Sequence, residues 1–105
     1  MMKIEGVAME ACAAVGRVAG VVARRDGSLA DQMRRAMASV VLNLSEGSGS
    51  QGGICRARYF TALGSAREVR AALRVAVAFG YVAQIDGRLE DRLDHVCAVL
   101  WRLTR

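Results

Sequence analysis

Apolar residues recur along this chain in four blocks at steps of three and four, the spacing of amphipathic helices rather than strands. In the first block Ile4, Val7, Ala8, Ala11, Val15, Val18 and Val22 share one face, which predicts a helix over 4–25 ending at Arg24 and Arg25. RDGSLADQ then reads as a turn, with Ser28 as N-cap and Asp31 in the first turn of a second helix over 29–46. Its stripe is Leu29, Met33, Met37, Val40 and Leu44, with Ala36 alongside. SEGSGSQGG, with four glycines between Gly47 and Gly53, ends it in a flexible connection. Tyr59, Ala62, Ala66, Val69, Leu73 and Ala76 mark a third helix over 54–79, stopped by Gly80 at its C-cap. After YVAQIDG, Asp86 opens a fourth helix over 86–104 with the face Leu89, Leu93, Val96, Leu100 and Leu103. No segment alternates with period two. The prediction is therefore all-α: one domain over 1–105, an antiparallel up-and-down four-helix bundle.

The polar positions break this pattern most on the second helix. Arg35, Ser39, Asn43 and Glu46 follow at steps of four, four and three, forming a polar stripe beside the apolar one. A solvated face is one reading. The other is burial against a further helix or subunit, because Val40, Val41, Leu42 and Leu44 leave Asn43 little water-facing arc, and a buried amide must then be hydrogen-bonded. Thr61, Ser65 and Glu68 on the third helix are the predicted counterpart. Gly64 sits beside them in mid-helix at a cost of about 1 kcal/mol relative to Ala, which predicts a close helix approach there.

Composition narrows the picture. The 105 residues are 53% hydrophobic and contain no proline, which suits long uninterrupted helices and argues against disorder. The formal net charge is +5, and all but one of the fifteen basic residues are Arg, the side chain suited to bidentate phosphate and carboxylate contacts. Cys12, Cys55 and Cys97 are too few and too widely spaced for a zinc signature, and an odd count fits reduced thiols and a cytoplasmic setting. Glu5, Glu10 and Arg17 interrupt any signal-peptide core, and no run is apolar enough to span a membrane, so no membrane association is expected.

The arginines fall in stripes. Arg67, Arg70 and Arg74 share a face of the third helix, extended by Arg56, and Arg88, Arg92, His95 and Arg102 share one of the fourth. Arg34 with Arg35, and Arg24 with Arg25, add charge. These faces either stay solvated and pair with Glu68, Glu90, Asp91 and Asp94, or they bind a polyanion. Phe60 is the only ring on that face of the third helix, so contacts to backbone phosphate rather than base stacking are predicted.

SVVLNLSEGSG, followed by YFTALGSAREV and then AFGYV, resembles the four-helix-bundle family associated with intervening sequences in bacterial 23S ribosomal RNA genes. The resemblance covers roughly residues 29 to 103, with the first helix aligning by pattern only. The same family includes the accessory variability proteins of diversity-generating retroelements. It implies an antiparallel four-helix bundle that assembles as a ring-like homopentamer with a basic surface. For the retroelement members it also implies binding of nucleic acid and of a reverse transcriptase. The family's motif positions fall on Ser39, Asn43, Glu46 and Gly47 and on Gly64 and Ser65, all as structural residues. Many members have a proline where this chain has Val41, which implies a straighter second helix here.

Catalytic arrangements are weak. His95 is the single histidine and has no cysteine or serine at a catalytic spacing. GSGSQGG lacks the lysine of a phosphate-binding loop and follows no strand. Glu90, Asp91 and Asp94 lack the paired ligands of a di-iron bundle. No enzyme activity, metal or cofactor is expected. Two readings remain: a non-enzymatic oligomeric adaptor that binds nucleic-acid backbone, with a reverse-transcriptase-like protein as a further partner, or a structural and protein-interaction module.

Overall fold

The computed structural model describes residues 3–105, and among them there are four helices and no strand: α1 (Ile4–Val22), α2 (Gly27–Ser48), α3 (Gly52–Ala78) and α4 (Gly87–Leu103). Each helix packs on two neighbours in a closed ring, α1 on α2, α2 on α3, α3 on α4 and α4 on α1. Short turns between consecutive helices make neighbours antiparallel, so the architecture is an up-and-down bundle. The α2–α3 interface is the largest. The 27 residues of α3, about 40 Å at 1.5 Å per residue, run nearly the full 43 Å length of the molecule.

The predicted stripes form the core. Val15, Val22, Met33, Met37, Val40, Leu44, Val69, Leu89, Leu93, Val96 and Leu100 are fully buried. Leu103 is instead exposed in the last turn of α4, and Thr104 is buried in its place, its hydroxyl donating to the Trp101 carbonyl at 2.8 Å. No helix among the described residues is long and apolar enough to cross a membrane.

The helix ends differ from the sequence reading for identifiable reasons. α1 stops at Val22 rather than at residue 25, because the amides of Arg24 and Arg25 close tighter turns onto the Val21 and Val22 carbonyls. Asp26, not Ser28, caps α2: its Oδ1 accepts from the Leu29 amide at 3.0 Å, which starts the helix two residues early. The glycine-rich run is mostly helical, and only residues 49–51 separate α2 from α3. The hydroxyls of Ser48 and Ser50 donate to the carbonyls of Ser45 and Glu46, which satisfies the end of α2. At the far end of α3 the Gly80 amide donates to Val77 and the Tyr81 amide to Ala76, a Schellman closure that requires the left-handed φ of +76° at Gly80. Asp86 caps α4 by accepting from the Arg88 amide.

Candidate nucleic-acid interface

The polar stripe of α2 lies on the α2–α3 seam. Ser39 Oγ and Ser65 Oγ are 2.7 Å apart. Asn43 Nδ2 donates to the Ser39 carbonyl at 2.9 Å and to its hydroxyl at 3.1 Å. Arg58 donates to Asn43 Oδ1 at 3.5 Å and pairs with Glu46 at 3.1 Å. Ser65, Ser39, Asn43, Arg58 and Glu46 thus form one connected chain across two helices. Thr61 is outside it, its hydroxyl turned back to the Ala57 carbonyl, and Arg35 and Glu68 are exposed. The sequence reading missed Arg58, although it precedes Ser65 by seven residues, two turns along the same face.

The close approach of α2 and α3 is made by Gly47, not by Gly64. A Cβ on Gly47 would lie 2.5 Å from Tyr59 Cε1, whereas a Cβ on Gly64 would meet nothing within 4 Å. Gly64 faces outward. Burial, and secondarily the neighbouring Cys55 thiol, raise the Tyr59 phenol above its ordinary 10.0.

At the opposite end the α1–α2 turn is tied to the α3–α4 turn. Tyr81 donates to Asp26 Oδ2 at 3.0 Å, Arg25 donates to the Gly80 carbonyl at 3.1 Å, and the Arg25 guanidinium lies 5.3 Å from the Tyr81 ring centroid. The hydrogen bond to Asp26 is the main cause of a raised Tyr81 pKa.

Among the seven arginines singled out from the sequence, two are engaged within the bundle. Arg70 pairs with Asp94 and Arg92 with Glu10, both at 2.6 Å. Arg56, Arg67, Arg74, Arg88 and Arg102 are exposed and have no carboxylate within 4.0 Å among the described residues. The two stripes do not merge. The Arg70–Asp94 pair puts the α3 stripe on the α3–α4 seam, while the Arg92–Glu10 pair turns the α4 stripe toward α1. Arg70 and Arg74 line a cavity of about 140 Å³ on the first seam, where Glu90 and Asp94 neutralise part of their charge. On the second seam Arg17 joins Arg88 and Arg92 around an open depression of about 330 Å³ that also holds Glu10 and Asp86. Arg17 became a site residue only when α1 docked on α4. Cys12, Cys55 and Cys97 are free, half-buried thiols, and no group of His, Cys, Asp and Glu among the described residues is gathered to hold a metal.

These observations define an all-helical bundle whose outer seams carry arginine and whose widest seam is held by a small polar network. The chain belongs to the 23S rRNA-intervening sequence protein family, whose family model matches residues 2–102 and so takes in α1 as well. No curated protein and no solved structure matches the chain.

Proposed function

We propose that this protein is a non-enzymatic adaptor, assembled as a homopentamer, that binds the backbone of nucleic acid through its arginine-bearing seams. The observation that carries the reading is the set Arg56, Arg67 and Arg74, exposed along one line of α3 with no carboxylate within 4.0 Å among the described residues, although Arg74 shares its cavity with Glu90 and Asp94. Guanidinium groups so placed contact phosphates without reading sequence, and repeating them around a ring multiplies the counterions released. A reverse-transcriptase-like protein is the partner that the family resemblance suggests for the remaining surface.

A second reading, a structural or protein-interaction module, draws support from the pairs Arg70–Asp94, Arg92–Glu10 and Arg58–Glu46 and from exposed Leu42, Ile54 and Phe79. Solution mass by light scattering, with and without a structured RNA at low and high salt, separates the two. The adaptor gives a pentamer that becomes heavier with RNA only at low salt, and charge reversal at Arg67 and Arg74 lowers the salt dependence by about one unit of slope for each phosphate that is no longer neutralised. A pentamer indifferent to RNA selects the second reading, and a monomer removes the oligomeric part of both.

A further inference from the structure

The α3–α4 seam changes character along its length. In the half nearest the α3–α4 turn, Glu90 and Asp94 oppose Arg70 and Arg74. In the other half there are no carboxylates on either helix: α3 has none before Glu68, α4 has none after Asp94, and the neighbouring Glu46 of α2 is committed to Arg58. This cationic half also holds two exposed rings.

Arg56, Phe60, Arg67 and Arg74 fall at steps of four, seven and seven, within about 40° of one line on α3. Phe60 is 53% exposed on that line. Trp101 follows Asp94 by seven residues and shares its face of α4, which the Arg70–Asp94 pair shows to be the face toward α3. Seven residues back from Arg70 on the antiparallel partner brings the level of Trp101 to Leu63, within a turn of Phe60 and of Arg67. Leu63 is buried, so the indole, itself 47% exposed, sits on the rim of the seam. Between Phe60 and Arg67, Gly64 leaves the helix surface open. The Arg105 guanidinium lies 5.0 Å from the indole centroid and adds a further cation. The base-stacking platform that α3 alone does not supply is completed by α4.

We propose that this half of the seam binds single-stranded nucleic acid, with bases stacked on Phe60 and Trp101 and phosphates held by Arg56, Arg67 and Arg105. The proposal rests on the nucleic-acid reading above and makes it specific: arginines alone accept any polyanion, whereas exposed rings between them select strands whose bases are free to stack. Paired bases in a duplex cannot reach the rings.

Trp101 is the only tryptophan of the chain, so its emission reports the site directly. The experiment titrates the full-length protein with oligo(dT) and, separately, with the same strand paired to oligo(dA), following Trp101 fluorescence and the anisotropy of labelled DNA. The expected result is quenching by the single strand but not by the duplex. Phe60→Ala then weakens single-strand binding by about tenfold or more, leaves duplex binding unchanged, and is rescued by Phe60→Tyr. The exposed position and the higher helix propensity of Ala keep that variant folded, which circular dichroism checks. Equal, salt-dependent binding of strand and duplex with unchanged emission overturns the stacking proposal and leaves the phosphate reading standing. Absence of binding to either at low salt overturns both. A lower solution mass for Phe60→Ala makes the ring a contact between copies of this chain and also overturns the proposal.

Discussion

The Ser39 and Ser65 hydroxyls meet at 2.7 Å across the seam of α2 and α3, and the Asn43 amide closes onto the same Ser39 oxygen at 3.1 Å. Three polar groups thereby satisfy one another between flanking apolar layers, and a one-turn slip of either helix would part Ser65 from Ser39, the contact of the three that crosses between the helices. The network sets register.

Removing one hydroxyl tests that role. Ser39→Ala leaves Ser65 without its partner and is expected to lower stability by about 1 to 2 kcal/mol in urea denaturation. Ser65→Ala should cost a similar amount, and the double variant less than the two losses added together, because the hydroxyls act as a pair. Strict additivity in the double-mutant cycle would show that the hydroxyls do not couple.

The two motif glycines should respond with opposite signs. Gly47→Ala drives a methyl into the Tyr59 ring, within 2.5 Å of Cε1, and is expected to cost about 1 to 3 kcal/mol. Gly64→Ala meets open space on a helix surface and should gain about 1 kcal/mol from propensity. Thermal midpoints of the two variants beside the parent protein check this, and destabilisation by both would contradict the outward placement of Gly64.

Tyr81 carries a pH dependence whose sign follows from its hydrogen bond to Asp26. The bond requires the phenol proton and raises the folded-state pKa above the ordinary 10.0. Its contribution is therefore complete below pH 10.0 and is lost as pH climbs through the folded value. Tyr81→Phe should be less stable than the parent at neutral pH, with the gap narrowing in alkaline buffer. A gap that stays constant or widens there would exclude this account.

Asp26 has two tasks that a pair of variants can divide. Asp26→Asn keeps an oxygen for the Leu29 amide but replaces the oxygen that accepts from Tyr81. Asp26→Ala removes both, and the lost cap alone is worth about 1 kcal/mol. The alanine variant should therefore be the less stable in chemical denaturation, while the asparagine variant should lose the pH-dependent part seen for Tyr81. Equal stability of the two would mean that the cap adds nothing.

The four helices, the stripes that become the core and the polar stripe on α2 were all legible in the chain, because each is written in spacings of three, four and seven within one helix. Capping residues were harder to place: Ser28 is a good capping residue by type, yet Asp26 takes the position, since it is also held by Tyr81 from 55 positions away. Ser65 was also legible as the counterpart of that stripe, but most of what depends on which helices are neighbours emerged only from the packed bundle. Period alone marked Arg70 and Arg92 as members of basic faces, but the approach of α4 to α3 and to α1 gave them Asp94 and Glu10 as partners. The same docking added Arg17 to one seam and Trp101 to another. It also assigned the close approach to Gly47 rather than Gly64, because a ring on α3 has to find room against α2. Periodicity specifies which side of a helix is apolar, whereas side chains from different helices meet according to crossing geometry and relative register, which no spacing within a single helix encodes.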